Sequence, residues 1–200
     1  MARTVDPAKY EAKRLLILDA AAECFARKGF ERTTTADICA RAGISSGSLF
    51  HYFPNKRSVF VAIFELDGRQ HTELLDRAGR TEDPVAGLLE VVDGLVRPLS
   101  DPSAPGLVTE VAAQAARDPE LAEVLVRNEI RLREGLAGLL RRAAEAGRID
   151  PGLAPERAAG WIAALVDAAF ARVSVDRDLV VEDEVEMLRL ILTRFLLVQP

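Results

Sequence analysis

The chain predicts an all-α fold, a small three-helix head on a larger helical body. Three observations carry that prediction. Apolar residues recur at helical rather than alternating spacing along nearly the whole chain. The pairs Asp83-Pro84 and Asp118-Pro119 each join a capping residue to a first-turn proline, which marks a fresh helix start. The stretch "ADICARAGISSGSLFHYFPNK", Ala36 to Lys56, holds two short helical patterns separated by Ala42, Gly43 and Ile44.

The elements follow in order. In "KRLLILDAAAECFARKGF", Leu15, Leu18, Ala22 and Phe25 recur at helical spacing, and Gly29 is a good stop. Thr34 and Asp37 have capping-box spacing and open a second helix that closes at Gly43. Ser45 or Ser46 caps a third helix, and Asn55 after Pro54 a fourth that runs to the Ala78-Gly79 pair. "RPLSDPSAPG", Arg97 to Gly106, reads as a loop. A long helix is predicted over 119–146, another over 155–175 and a last one over about 180–198. A boundary near Lys56 divides a head of residues 1–55, with its two-helix motif at 34–53, from a body of residues 56–200.

Composition bounds what such a chain does. Two hundred residues bury a proper core. The N-terminus has no signal-peptide pattern, and no uninterrupted apolar run approaches the roughly 18 residues of a membrane span. Cys24 and Cys39 are too few for a disulfide framework and fit a reducing compartment, so a cytoplasmic protein with no membrane contact is expected. The net charge of −5 conceals an asymmetry. Residues 1–57 carry 10 Lys/Arg against 6 Asp/Glu, a net of +4, which leaves −9 for the rest. A basic head on an acidic body suits a chain that meets a polyanion with one end.

The third helix says more. At 100° per residue, Leu49 and Phe53 share one face and are predicted to pack, with Ile44, on Leu18, Phe25, Ile38 and Cys39. Gly47, Ser48 and His51 point the other way, Ser45 and Ser46 sit at the amino end, and Phe50 and Tyr52 lie on the flanks. That outer face is bare at one end and aromatic at the other. It fits the major groove, which accepts one α-helix and rewards mixed base-edge and phosphate contacts. Thr33, Thr34 and Thr35 bring hydroxyls and free backbone N–H groups to a helix start, a ready phosphate contact. Lys56 and Arg57 sit in a first helical turn, where the dipole disfavours cations, an arrangement a bound phosphate would explain.

Residues from about Lys13 to Phe64 resemble the amino-terminal domain of the TetR family of bacterial transcriptional regulators. The stretch "ILDAAAECFARKGFERTTTADICARAGISSGSLFHYFPNKRSVF" carries the resemblance, and "AGISSGSLFHYFPNK" is its most specific part. The resemblance implies that residues 34–53 are a helix-turn-helix and that Ser46, Gly47, Ser48, His51, Tyr52 and Lys56 touch DNA. The family usually has a tyrosine where this chain has Phe50. Apolar contact with a thymine methyl is the role left to that ring.

The body resembles the family's ligand-binding and dimerisation region in layout only. "AAGWIAALVDAAFARV", Ala158 to Val173, is apolar almost all round except at Asp167 and Arg172, so both its sides need cover. The preceding long helix carries Leu121, Leu125, Leu132, Leu136, Leu139 and Leu140 in a stripe. A two-fold homodimer through these two helices is therefore expected, reading an inverted repeat in double-stranded DNA. A small apolar or amphipathic effector is expected between helices carrying Phe64, Leu89, Val92, Val108, Val111, Trp161 and Leu165, oriented by Glu110, Gln114 and Asp167.

No nucleophile–base pair, metal set or phosphate loop is evident, so no catalysis, metal or cofactor is expected. The resulting expectation is a one-component regulator, a repressor released from its operator by a ligand. An activator of the same fold competes with it. So does a protein-interaction module with a purely structural helix-turn-helix, whose binding to duplex DNA would be absent or indifferent to salt.

Overall fold

The computed structural model describes residues 6–176 and 178–197. Their regular elements are helical: α1 (Pro7–Lys28), α2 (Thr35–Ala42), α3 (Ser46–Tyr52), α4 (Lys56–Ala78), α5 (Pro84–Val96), a short 3-10 turn (Arg97–Ser100), α6 (Ala104–Ala115), α7 (Pro119–Glu145), α8 (Pro155–Val175) and α9 (Val181–Leu196).

Local chemistry sets most of these ends. Thr34 and Asp37 close a full capping box on α2, and Asn55 and Ser58 do the same on α4. Asp83 and Asp118 each accept two backbone N–H bonds ahead of a first-turn proline. Gly43 ends α2 in the left-handed region, φ 62°, which a side chain would strain. The expected loop at 97–106 is largely absent. Pro98 and Pro105 both occupy first-turn positions, where a missing N–H costs nothing, so the segment forms the 3-10 turn and the start of α6. The predicted end of the last helix, Val198, lies outside the described residues.

Two apolar clusters organise the molecule. The head cluster joins Ile17, Leu18, Phe25, Ile38, Leu49 and Phe53 to Val59, Phe60 and Phe64 of α4 and to Leu121 and Val124 of α7. Phe25, Phe30, Phe60 and Phe64 meet ring to ring with centroids 4.9–5.6 Å apart. The inner face of α1 is displaced from the expected one. Ile17, Leu18, Ala21 and Phe25 are buried, while Leu15 is 39% exposed. Packing thus runs past Asn55, and the first half of α4 completes the head core.

The body cluster draws on α5, α7, α8 and α9. The leucine stripe expected at the interface is spent inside the chain. Leu121, Leu132, Leu136, Leu139 and Leu140 of α7 are all buried within the one chain, so this stripe has no face left for a second copy. The large apolar side chains that stay exposed in the body include Val126 and Ile130 of α7, Trp161 of α8, and Met187, Leu190 and Ile191 of α9. By length and composition α8 could cross a membrane, but Asp167 and Arg172 interrupt its apolar run, and its inner side, Ala159, Ile162 and Val166, packs in the body core.

Head and body are tied at several points. α6 packs on both α1 and α8. Gly106 makes that approach possible, because a Cβ there would lie 2.3 Å from the Ala26 carbonyl oxygen. Arg57, in the first turn of α4, donates two 2.6 Å bonds to Asp118 and also pairs with Glu120 at 2.5 Å.

Candidate nucleic-acid interface

Helix α3 is held from below. Leu49 is 1% exposed, Phe53 at its C-cap 4%, and both join Ile38 and Phe25 in the head core. The Ser45 side chain caps α3 by accepting from the Ser48 backbone N–H at 3.2 Å. The rest of α3 faces outward. Ser45, Ser46, Gly47, Phe50 and His51 are exposed, and Ser48 and Tyr52 are half-buried.

Gly47 is the informative position. A Cβ added there would meet Ser45 Oγ at 4.0 Å, an ordinary contact. Its backbone is helical, so internal packing gives no reason for glycine. Yet glycine in a helix is less favourable than alanine, by up to about 1 kcal/mol in an interior and less in a first turn such as this. A bare spot without internal cause points to a close approach from outside.

The threonines divide. Thr33 departs from expectation: it is 1% exposed, its hydroxyl donates to the carbonyls of Cys24 and Gly29 at 3.1 and 2.7 Å, and its N–H bonds Gly29. It is a core staple between α1 and α2 with nothing to offer a phosphate. Thr34 has its hydroxyl and N–H committed to Asp37. Thr35, half-buried at the first position of α2, leaves its backbone N–H at the open helix start.

The cations differ in the same way. Lys56 Nζ donates to the carbonyls of Phe30 and Glu31 at 2.6 and 3.2 Å and lies 4.4 Å from the Phe30 ring centroid. Two of its three donors are occupied, and one remains for a phosphate. Arg57 is committed to α7, so the unfavourable dipole at this helix start is offset within the chain rather than by a ligand. Lys28 pairs with Asp37 at 2.5 Å, and with the capping bonds from Thr34 this holds the Asp37 carboxyl well below the usual range. Arg41 pairs with Glu23.

The ten residues expected around an effector are spread over the two apolar clusters and the surface. Phe64 belongs to the head core, Val92 to the body core, and Val111 packs on the head cluster, while Leu89 and Val108 are half-buried. Glu110 and Gln114 bond each other at 2.9 Å near Gly29. Leu165 is half-buried against the body core, Trp161 is 63% exposed, and Asp167 is exposed, its carboxyl pushed up by partial desolvation. An open cleft lies elsewhere, between α5 and α9, about 430 Å³, with Val96, Val181, Val185, Glu182, Glu186 and Arg189 among its lining residues.

Sequence reasoning missed three features: the Arg57–Asp118 tie, the share of α9 in the uncovered apolar face, and Tyr10, whose ring packs on Tyr52. Only the α9 face left a readable signal, Met187, Leu190 and Ile191 at helical spacing opposite Leu188 and Leu192.

A capped three-helix head, a tight glycine turn and an outward α3 with a bare glycine form a helix-turn-helix. Residues 17–63 match the family described as "Bacterial regulatory proteins, tetR family", and residues 79–190 match "Tetracyclin repressor-like, C-terminal domain". The chain belongs to the TetR family. It is a DNA-binding transcriptional regulator. Among its relatives is the Escherichia coli (strain K12) HTH-type transcriptional regulator UidR, 29% identical over 143 residues, 69% of each chain. The HTH-type transcriptional repressor AcnR of Corynebacterium efficiens is 27% identical over 161 residues, 79% of this chain and 80% of that one. A transcriptional regulator from Saccharomonospora viridis, solved in complex with choline, shares the fold with TM-score 0.78 at 18% identity, covering 95% of this chain and all of that one.

Proposed function

We propose that this TetR-family regulator is a one-component repressor, which binds an inverted-repeat operator as a homodimer and is released by a small molecule. Gly47 carries the DNA-reading part: a helix position kept bare without internal need, on the outward face of a capped helix. Around it, Ser46, Ser48, His51 and Tyr52 supply base-edge groups. Ser45, Thr35 and the free donor of Lys56 face phosphate, and Phe50, 52% exposed, offers apolar contact to a thymine methyl.

The second copy covers apolar side chains left exposed on α8 and α9, Trp161 and Met187 among them, together with Val126 and Ile130 of α7. Two-fold symmetry then presents two α3 helices to successive major grooves. The effector separates α5, α6 and α8, the helices that carry Leu89, Val92, Val108 and Leu165. The shift reaches α1 through the Gly106–Ala26 contact and reaches α4 through Arg57 and Asp118. The effector acts only by binding the DNA-incompetent state more tightly. An apolar or amphipathic compound fits those walls.

Selection of random duplexes by the full chain, repeated at rising salt, tests the reading. An inverted repeat whose affinity falls steeply with salt is expected. Recovery of no preferred sequence, or salt-indifferent binding, would overturn it.

A further inference from the structure

The first turn of α1 touches the reading helix. Asp6 caps that turn through the N–H groups of Ala8 and Lys9, and Pro7 follows at its first position, so Tyr10 is presented from ordered backbone. Its ring lies 4.6 Å from that of Tyr52, tilted by 35°, and 6.0 Å from His51, edge to face. His51 and Tyr52 are themselves 5.1 Å apart and edge to face. One turn later, Arg14 lies 5.6 Å from the Phe53 ring centroid. The start of α1 is thus moored to the end of α3 at two places.

That mooring answers a mechanical need. α3 has seven residues, of which Leu49 is the buried one. A helix pinned by so few core side chains rolls easily about its axis, because its outer face must stay free for a partner. A small roll swings rings at its carboxyl end by more than the few tenths of an ångström that separate a good hydrogen bond from a poor one. An offset or edge-to-face ring pair is directional and resists that roll.

We propose that Tyr10 is a positioning residue for sequence reading: it sets the orientation of His51 and Tyr52 without contacting a base itself. The proposal rests on the DNA-reading role argued above. The test uses the full chain with Tyr10→Phe, Tyr10→Ala and Tyr10→Leu, the last keeping bulk without a ring. Two probes are compared, the duplex selected by the unaltered chain and a scrambled duplex of equal length, with thermal melting of each variant recorded.

Tyr10→Phe should keep the preference for the selected duplex. Tyr10→Ala and Tyr10→Leu should lower that preference about tenfold, the upper end of what one aromatic pair contributes. Their affinity for the scrambled duplex should hold, and each should still melt in one cooperative transition above the assay temperature, with a drop of no more than a few degrees. An unchanged preference in both Ala and Leu variants overturns the proposal. So does an equal loss in Tyr10→Phe, which would make the hydroxyl a direct DNA contact, and so does equal loss on both duplexes. If the unaltered chain itself shows no preference, the DNA-reading role fails, and the positioning role with it.

Discussion

In the head, Phe25, Ile38 and Leu49 are at most 1% exposed, whereas in the body Trp161 is 63% exposed and Met187 52%. The head completes its apolar core inside one chain and shows the outside hydroxyls, a bare glycine and polar-tipped rings, with Leu15, Leu16 and Phe50 its exposed large apolar side chains. The body leaves a strip of Trp, Met, Ile and Leu uncovered on α8 and α9. The contrast separates two kinds of partner. A surface of donors, acceptors and rings suits a polar, charged groove, and an unfinished apolar face suits another apolar face. One molecule carries both, placed on different helices.

Breaking the head should have the largest effect. Phe25→Ala removes the ring around which Phe30 and Phe60 pack, and should lower stability by about 3–5 kcal/mol, read by urea denaturation. Since α4 and α7 share that core, the loss should reach the whole cooperative transition; two separate transitions would show head and body to be independent. Next comes the uncovered face. Trp161→Glu should weaken self-association by about 2 kcal/mol or more while leaving helix content intact, as followed by sedimentation and circular dichroism. A dimer as tight as before would move the interface off α8.

Changes on the reading face should be smaller and more selective. Ser48→Ala should reduce discrimination at one base position by about 1–3 kcal/mol with little loss of stability, checked by repeating the duplex selection. An identical recovered motif would remove Ser48 from base reading. The tie between the two regions sharpens the comparison through pH. Arg57 beside Asp118 holds that carboxyl below its ordinary range. Its stabilisation is therefore present above the unfolded value of about 4 and is lost as pH falls through the lower folded value. Arg57→Ala should flatten the acid-side decline of the urea midpoint, and an unaltered decline would dismiss the tie.

Legibility differed between the regions for a physical reason. Caps, turn and recognition helix in the head are local: Thr34 with Asp37, Gly43, Ser45 with Ser48 and Asn55 with Ser58 act over a few residues, so spacing reveals them. The cap–proline starts of α5 and α7 were readable for the same reason. Thr33 was misread because three adjacent hydroxyls look alike in a sequence, and only the fold of the α1–α2 turn sends one of them inward. The stripe on α7 was rightly read as buried and wrongly assigned to a second copy, since periodicity states that a face needs cover and not which surface supplies it.

The sequence by itself determined a helical chain, the capped starts of α2 to α5 and of α7, and a helix-turn-helix with an outward glycine, because these follow from backbone geometry and hydrogen bonds within a turn or two. The tertiary structure alone decided which of two apolar helix faces stays open, that Arg57 serves α7 rather than a phosphate, and that Tyr10 leans on Tyr52. Those are meetings between residues far apart in the chain, and distance in sequence carries no record of them until the helices are packed.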